Sequence, residues 1–138
     1  MNIGIVGTGS IAHTMAKEFA RPTTMPVVAV CSRNADTGIA MAHEFNIPKV
    51  YTEYNEMLAD PEVDAVYIAT PIVLHAKQAK LAADYGKDIL IEKPLAMTSE
   101  EGQKVVDYCE SKGVKIAAGL MMRFGAYVMA MKQAIADG

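Results

Sequence analysis

The sequence predicts an α/β protein built on a doubly wound parallel sheet of about six strands, the Rossmann-type arrangement. Three observations lead there. Short apolar runs alternate along the chain with segments whose apolar residues recur at helical spacing. The first run, Ile3 to Val6, closes on Gly7-Thr8-Gly9 and leads directly into such a helical segment. A length of 138 residues with 51% hydrophobic content suffices for one such domain with a real core and not for two.

Ile11, Met15, Ala16 and Phe19 mark the first helix, and Pro22 and Pro26 end it and bracket a loop. Val27 to Cys31 is apolar on both faces, as a central parallel strand should be. Asn34 can cap a helix containing Ile39, Ala42 and Phe45, ending near Asn46 and Pro48. Lys49 to Tyr51 is a minimal third strand, Tyr54 to Ala59 a short helix, Asp60-Pro61 a turn, and Val63 to Ala69 a strongly apolar fourth strand. A helix over His75 to Tyr85 precedes a fifth strand at Ile89 to Ile91. A capped helix from Ser99 to Lys112 stops at Gly113, Val114 to Leu120 is a sixth strand, and helical spacing resumes from Arg123 through Val128, Met131 and Ile135. No short repeat, low-complexity tract or Ser/Gly-rich linker divides the chain.

Composition narrows the function. The net charge is −3 and the 13 basic residues are scattered, which argues against a nucleic-acid partner. Cys31 and Cys109 stand alone, without a second ligand at zinc spacing, so no metal site is expected and both read as buried thiols of a reducing compartment. No apolar run approaches the roughly 20 residues of a membrane span and no secretory signal opens the chain, so a cytoplasmic protein is expected. Met121, Met122, Met129 and Met131 are read as packing residues, as are Tyr51, Tyr54, Tyr67 and Tyr108.

Gly7-Thr8-Gly9-Ser10-Ile11-Ala12 fits the dinucleotide fingerprint with Ala in its third small position. Gly7 permits the tight turn, Gly9 lets the backbone approach a pyrophosphate, and Ala12 lets the helix sit close to the sheet. The unpaired N–H groups of the helix start then face the phosphates. About twenty residues on, a carboxylate would be expected for the ribose 2′-hydroxyl of NAD. Ser32-Arg33 stand there instead, a hydroxyl and a guanidinium suited to a 2′-phosphate, so NADP is favoured over NAD. Asp36 falls at the next helix start, where it complements the dipole.

Further motifs come at the ends of successive strands: Ala69-Thr70-Pro71, then His75, then Glu92-Lys93-Pro94, then Gly119 and Arg123-Phe124. Together with the glycine turn, this set resembles the N-terminal domain of the glucose-fructose oxidoreductase/inositol dehydrogenase/MocA family across essentially the whole chain. Thr70-Pro71 and the Glu-Lys-Pro triplet fall just past the carboxyl ends of strands, where open α/β sheets bind ligands. Pro94 biases Lys93 toward an extended backbone. The resemblance implies that Lys93 is the catalytic or substrate-binding lysine beside the nicotinamide, and that Glu92, His75 and Arg123 belong to the cofactor site. Thr70 can donate its hydroxyl to the cofactor or only start a turn before Pro71. Relatives commonly carry Asn after the Thr-Pro, whereas this chain has Ile72, which cannot replace the amide's hydrogen bonds. His75 can shape the nicotinamide pocket, support the helix start or transfer protons.

The resemblance further implies an NAD(P)-dependent oxidoreductase moving a hydride to or from a sugar, cyclitol or similar polyol. It also implies a C-terminal substrate domain that lies outside residues 1–138; the apolar surface that would face it, including part of the Met-rich terminal segment, favours a homo-oligomer. Two rivals stand beside it: a dinucleotide-holding module or redox sensor without turnover, and another Rossmann enzyme such as a methyltransferase, in which the Glu-Lys-Pro triplet would have no role.

Overall fold

The computed structural model describes residues 1–20, 25–120 and 125–138. Six strands form one sheet: β1 (Ile3–Val6), β2 (Val27–Cys31), β3 (Lys49–Tyr51), β4 (Ala65–Ile68), β5 (Asp88–Ile91) and β6 (Ile116–Ala118). All neighbours pair parallel, in the order β3-β2-β1-β4-β5-β6. The helices are α1 (Ser10–Phe19), α2 (Ala35–Phe45), α3 (Tyr54–Ala59), α4 (His75–Asp84), α5 (Ser99–Ser111) and α6 (Ala126–Asp137). This is the Rossmann order, with its switch point between β1 and β4.

Strand periodicity of two sorts the core onto both faces. Ile3, Ile5, Val30, Ala65 and Tyr67 meet Ala12 and Ala16 of α1 and Met41 and Ala42 of α2 on one face. Val6, Ala29, Val66, Ile68, Ile89 and Ile91 meet Ala79 and Ala82 of α4, Val105 and Cys109 of α5, and Met57 and Leu58 of α3 on the other. Ala12 is fully buried, as its place in the fingerprint requires.

The caps agree with the sequence. Asn34 accepts from the Asp36 N–H at 2.9 Å, Asn46 ends α2 in the left-handed region, and Thr98 accepts from the Glu101 N–H at 3.1 Å. Several boundaries do not agree, because local turns take the backbone groups first. β4 starts at Ala65 rather than Val63, whose N–H is spent on the Asp60 carbonyl. β6 spans Ile116 to Ala118 only: the Val114 N–H closes the end of α5 on Cys109, and the Leu120 N–H turns back to Ala118. A 3-10 turn over Ile72–Leu74 precedes α4. Pro22, Met121, Met122, Arg123 and Phe124 lie outside the described residues.

Cys31 and Cys109 are buried free thiols, as expected. Met129 and Met131, expected to pack, are 52% and 55% exposed, because α6 buries none of its residues against the sheet. No helix among the described residues is long and apolar enough to cross a membrane, and no cluster there could hold a metal ion.

Candidate functional site

A crevice of about 750 Å³ opens across the carboxyl ends of β1, β2 and β4, within the range of cofactor sites. Its floor is the glycine turn. Gly7 has φ +102°, and its N–H donates to the Cys31 carbonyl at 2.9 Å. A Cβ there would stand 2.7 Å from the Ala69 carbonyl oxygen, so only glycine passes between the ends of β2 and β4. Gly9 caps α1 with extended backbone, and a Cβ on it would meet nothing within 4 Å. The space above it is open to the crevice. The start of α1 has no side-chain cap and no acidic residue in its first turn, so its N–H groups and dipole are uncompensated. Those are the properties a phosphate-binding turn needs, and the residues present therefore fit a dinucleotide.

On one side of the turn the Ser32 N–H donates to the Tyr51 carbonyl at 3.0 Å, fixing the chain just past β2. Three hydroxyls cluster there: Ser32 Oγ lies 2.8 Å from Thr37 Oγ1 and 3.2 Å from Thr8 Oγ1, and the Thr8 hydroxyl donates to Thr37 Oγ1 at 3.1 Å. Arg33 is exposed on the rim and forms no ion pair among the described residues. Glu53, from the loop after β3, lines the same crevice. Its charge adds to burial in pushing the Cys31 thiol up to about 11, so this cysteine stays protonated and inert at neutral pH.

On the other side, Thr70 and Pro71 line the crevice, and the Thr70 hydroxyl donates to Gln78 Oε1 at 2.5 Å. Past β5, Glu92 is 7% exposed and accepts from the Tyr67 hydroxyl and, at 3.3 Å, from the Lys93 N–H. Burial and that carboxylate hold the Tyr67 hydroxyl far above the usual tyrosine range. Gly119 makes room for Glu92, since a Cβ there would come 3.2 Å from Glu92 Oε1. Lys93 is exposed, and the Lys93–Pro94 peptide is cis.

Of the residues singled out from the sequence, Gly7, Thr8, Gly9, Ser32, Arg33, Thr70 and Pro71 line one crevice. Ser10, Ile11 and Ala12 form the helix start beneath it. His75, at the start of α4, and Glu92 and Lys93, just past β5, are not among the residues that line it, and Arg123 lies outside the described residues. Sequence reasoning missed Thr37, Glu53, Asn55, Leu74, Lys77, Gln78 and Leu81. Only Leu74, Gln78 and Leu81, at helical spacing, left a signal that one face of α4 borders the site. Tyr67, read as packing, is also the hydrogen-bond donor that holds Glu92.

Residues 1–120 match the model of the Gfo/Idh/MocA oxidoreductase family, NAD-binding Rossmann fold. The chain belongs to the Gfo/Idh/MocA family. Among curated relatives it is 38% identical over 135 residues to the 1,5-anhydro-D-fructose reductase of Ensifer adhaerens, covering 98% of this chain and 40% of that protein. It is 39% identical over 124 residues to D-xylose 1-dehydrogenase (NADP(+)) 2 of Haloferax volcanii, covering 90% and 38%. Among solved structures, scyllo-inositol dehydrogenase from Lactobacillus casei with bound NAD(H) and scyllo-inositol superposes with a TM-score of 0.92 at 25% identity, covering 100% of this chain and 41% of that one. This Gfo/Idh/MocA chain thus spans about 40% of the length of these relatives.

Proposed function

We propose that this chain binds a nicotinamide dinucleotide across the crevice and serves an oxidoreductase acting on a secondary alcohol or carbonyl carbon of a sugar, cyclitol or related polyol. The observation that carries the reading is the uncapped start of α1 beneath the open space over Gly9, at the sheet's switch point. The curated relatives and the inositol dehydrogenase structure support the oxidoreductase class and the polyol substrate. When bound, the nicotinamide supplies the hydride donor or acceptor.

The roles divide along the sheet. Gly7 to Ala12 receive the pyrophosphate, Ser32 and Arg33 the adenosine ribose, and Thr70, Pro71 and Arg123 contribute to the remaining cofactor contacts. Glu92, braced by Tyr67, fixes the backbone from which Lys93 leaves β5. Lys93 Nζ stabilises the developing alkoxide or moves a proton at that oxygen. A substrate domain beyond this chain would exclude water and hold the reacting carbon in place, so the 138 residues alone are expected to bind cofactor without appreciable turnover. The buried thiols support a reducing, cytoplasmic setting, and the exposed apolar side chains of α6 support self-association.

Ser32 and Arg33 favour NADP, since they offer a hydroxyl and a guanidinium where a 2′-phosphate would lie. A second reading, NAD, is favoured by Glu53, a carboxylate on the same crevice that can accept from ribose hydroxyls and would repel a 2′-phosphate. Titration of the chain with NADPH and NADH, followed by nicotinamide fluorescence, tests both. Saturable binding of at least one is expected. No saturation by either below about 1 mM would refute the proposal.

A further inference from the structure

His75 is 1% exposed, more enclosed than Ser32, Asp60 or Glu92, the other buried polar residues described. It stands on the core face of α4, in line with the buried Ala79, Ala82 and Ala83. Packing alone would put an apolar side chain there, so the imidazole needs another explanation. Its ring provides one: Nε2 lies 2.8 Å from the Thr70 carbonyl oxygen and Nδ1 lies 2.9 Å from that of Pro94. Carbonyl oxygens only accept, so bonding both at once takes an N–H on each ring nitrogen, the imidazolium form, whereas a neutral ring bonds one carbonyl and abuts the other; in either form both nitrogens face protein carbonyls and neither is turned to a ligand.

The two carbonyls belong to different loops. Thr70 comes after β4, and Pro94 ends the Glu-Lys-Pro segment after β5. Among the described residues no other hydrogen bond joins residues 70–74 to residues 93–97. In a doubly wound sheet the second mononucleotide half of the ligand lies over this side, β4 to β6.

We infer that His75 is a positioning residue: it ties the β4 and β5 loops at a fixed separation and so sets where Thr70 and Lys93 meet the nicotinamide half of the dinucleotide, without touching the cofactor itself. The inference rests on the dinucleotide reading. It assigns His75 neither proton transfer nor a ligand contact. Without the tie, the two loops move independently, and a ligand that reaches both must order them on binding. A ligand confined to the β1–β3 side bears no such cost.

The test compares two ligands on the 138-residue chain. NADPH reaches both halves, whereas 2′,5′-ADP carries only the adenosine half; NADH and ADP run in parallel cover the alternative cofactor. His75→Phe keeps a flat ring and removes its N–H donors. It should raise the dissociation constant for the dinucleotide about tenfold, the scale of one lost hydrogen bond, and leave that for the adenosine half within about twofold. His75→Gln returns one amide donor group and should recover part of the loss; it also carries the comparison should His75→Phe not fold. Equal weakening of both ligands would make His75 a general fold residue and overturn the inference, as would unchanged dinucleotide affinity in both variants. Failure of the wild-type chain to bind any of these ligands would instead sink the dinucleotide reading, and the tie with it.

Discussion

Gly7 and Gly9 stand two residues apart in the same turn, and the structure separates their purposes, so substituting each should fail in a different way. At Gly7 an alanine would hold φ +102° and place its Cβ 2.7 Å from the Ala69 carbonyl oxygen. A side chain in that backbone region costs about 1–3 kcal/mol. Forcing the turn away from the carbonyl just past β4 adds about 1–3 kcal/mol of overpacking. The sum, about 2–6 kcal/mol, is a large part of the roughly 5–15 kcal/mol that holds a small domain together. Each kcal/mol lowers the midpoint of a domain this size by roughly 3–5 °C, so Gly7→Ala should melt at least about 6 °C below wild type.

A Cβ at Gly9 meets nothing within 4 Å, and the backbone there is already extended, so in Gly9→Val stability should change by no more than about 1 kcal/mol, the scale of an altered cap. The valine would instead occupy the approach to the α1 N–H groups. Loss of one charge-assisted hydrogen bond, about 1.5–3 kcal/mol, should raise the NADPH dissociation constant roughly 10- to 150-fold. Thermal melts and fluorescence titration of both variants give four measurements. Unchanged affinity in a folded Gly9→Val chain would remove the glycine turn from the cofactor site; an unchanged midpoint in Gly7→Ala would show that the turn is not fixed as described.

Three further outcomes are expected. Arg33→Ala should weaken NADP binding more than NAD binding while Glu53→Gln does the reverse, strengthening NADP; equal losses for both cofactors in Arg33→Ala would end the 2′-phosphate role. In a longer protein that joins this chain to a substrate domain, Lys93→Ala should cut the single-turnover hydride-transfer rate by about 10²-fold or more with little change in cofactor affinity, and full activity would take Lys93 out of the mechanism. Asp60 is 8% exposed and accepts from Lys49 Nζ at 2.7 Å, the Tyr51 hydroxyl at 2.8 Å and the Glu62 N–H at 2.9 Å. The Lys49 bond, foremost, lowers its pKa from 3.8 to about 2. Because the folded value is the lower one, this stabilisation is present above pH 3.8 and lost as pH falls through about 2. It amounts to on the order of 2 kcal/mol and should be absent from the acid-unfolding curve of Asp60→Asn; an identical curve would refute it.

The order of strands and helices was determined by the sequence itself, because periodicity and capping act over a few residues. Ile3 to Val6 could only be a strand with Gly7 and Gly9 directly after it, and Asn34 and Gly113 marked helix ends through bonds to near neighbours. The β1–β2 side of the crevice was legible for the same reason, since Gly7 to Gly9 and Ser32-Arg33 sit at fixed offsets from β1 and β2. Strand limits were less so, because a backbone N–H such as that of Val63 goes to the nearest acceptor, which a pattern of apolar residues does not reveal.

What only the tertiary structure decided depends on contacts between residues far apart in sequence. The sheet brings Glu53 onto the rim that Arg33 occupies, sets the Tyr67 hydroxyl against Glu92, and lays the His75 ring between the carbonyls of Thr70 and Pro94. Each residue is ordinary in its own segment: a loop carboxylate, a strand aromatic, a helix-opening histidine. Their roles come from parallel pairing, which sets the ends of non-adjacent strands side by side and turns separate loops into one surface.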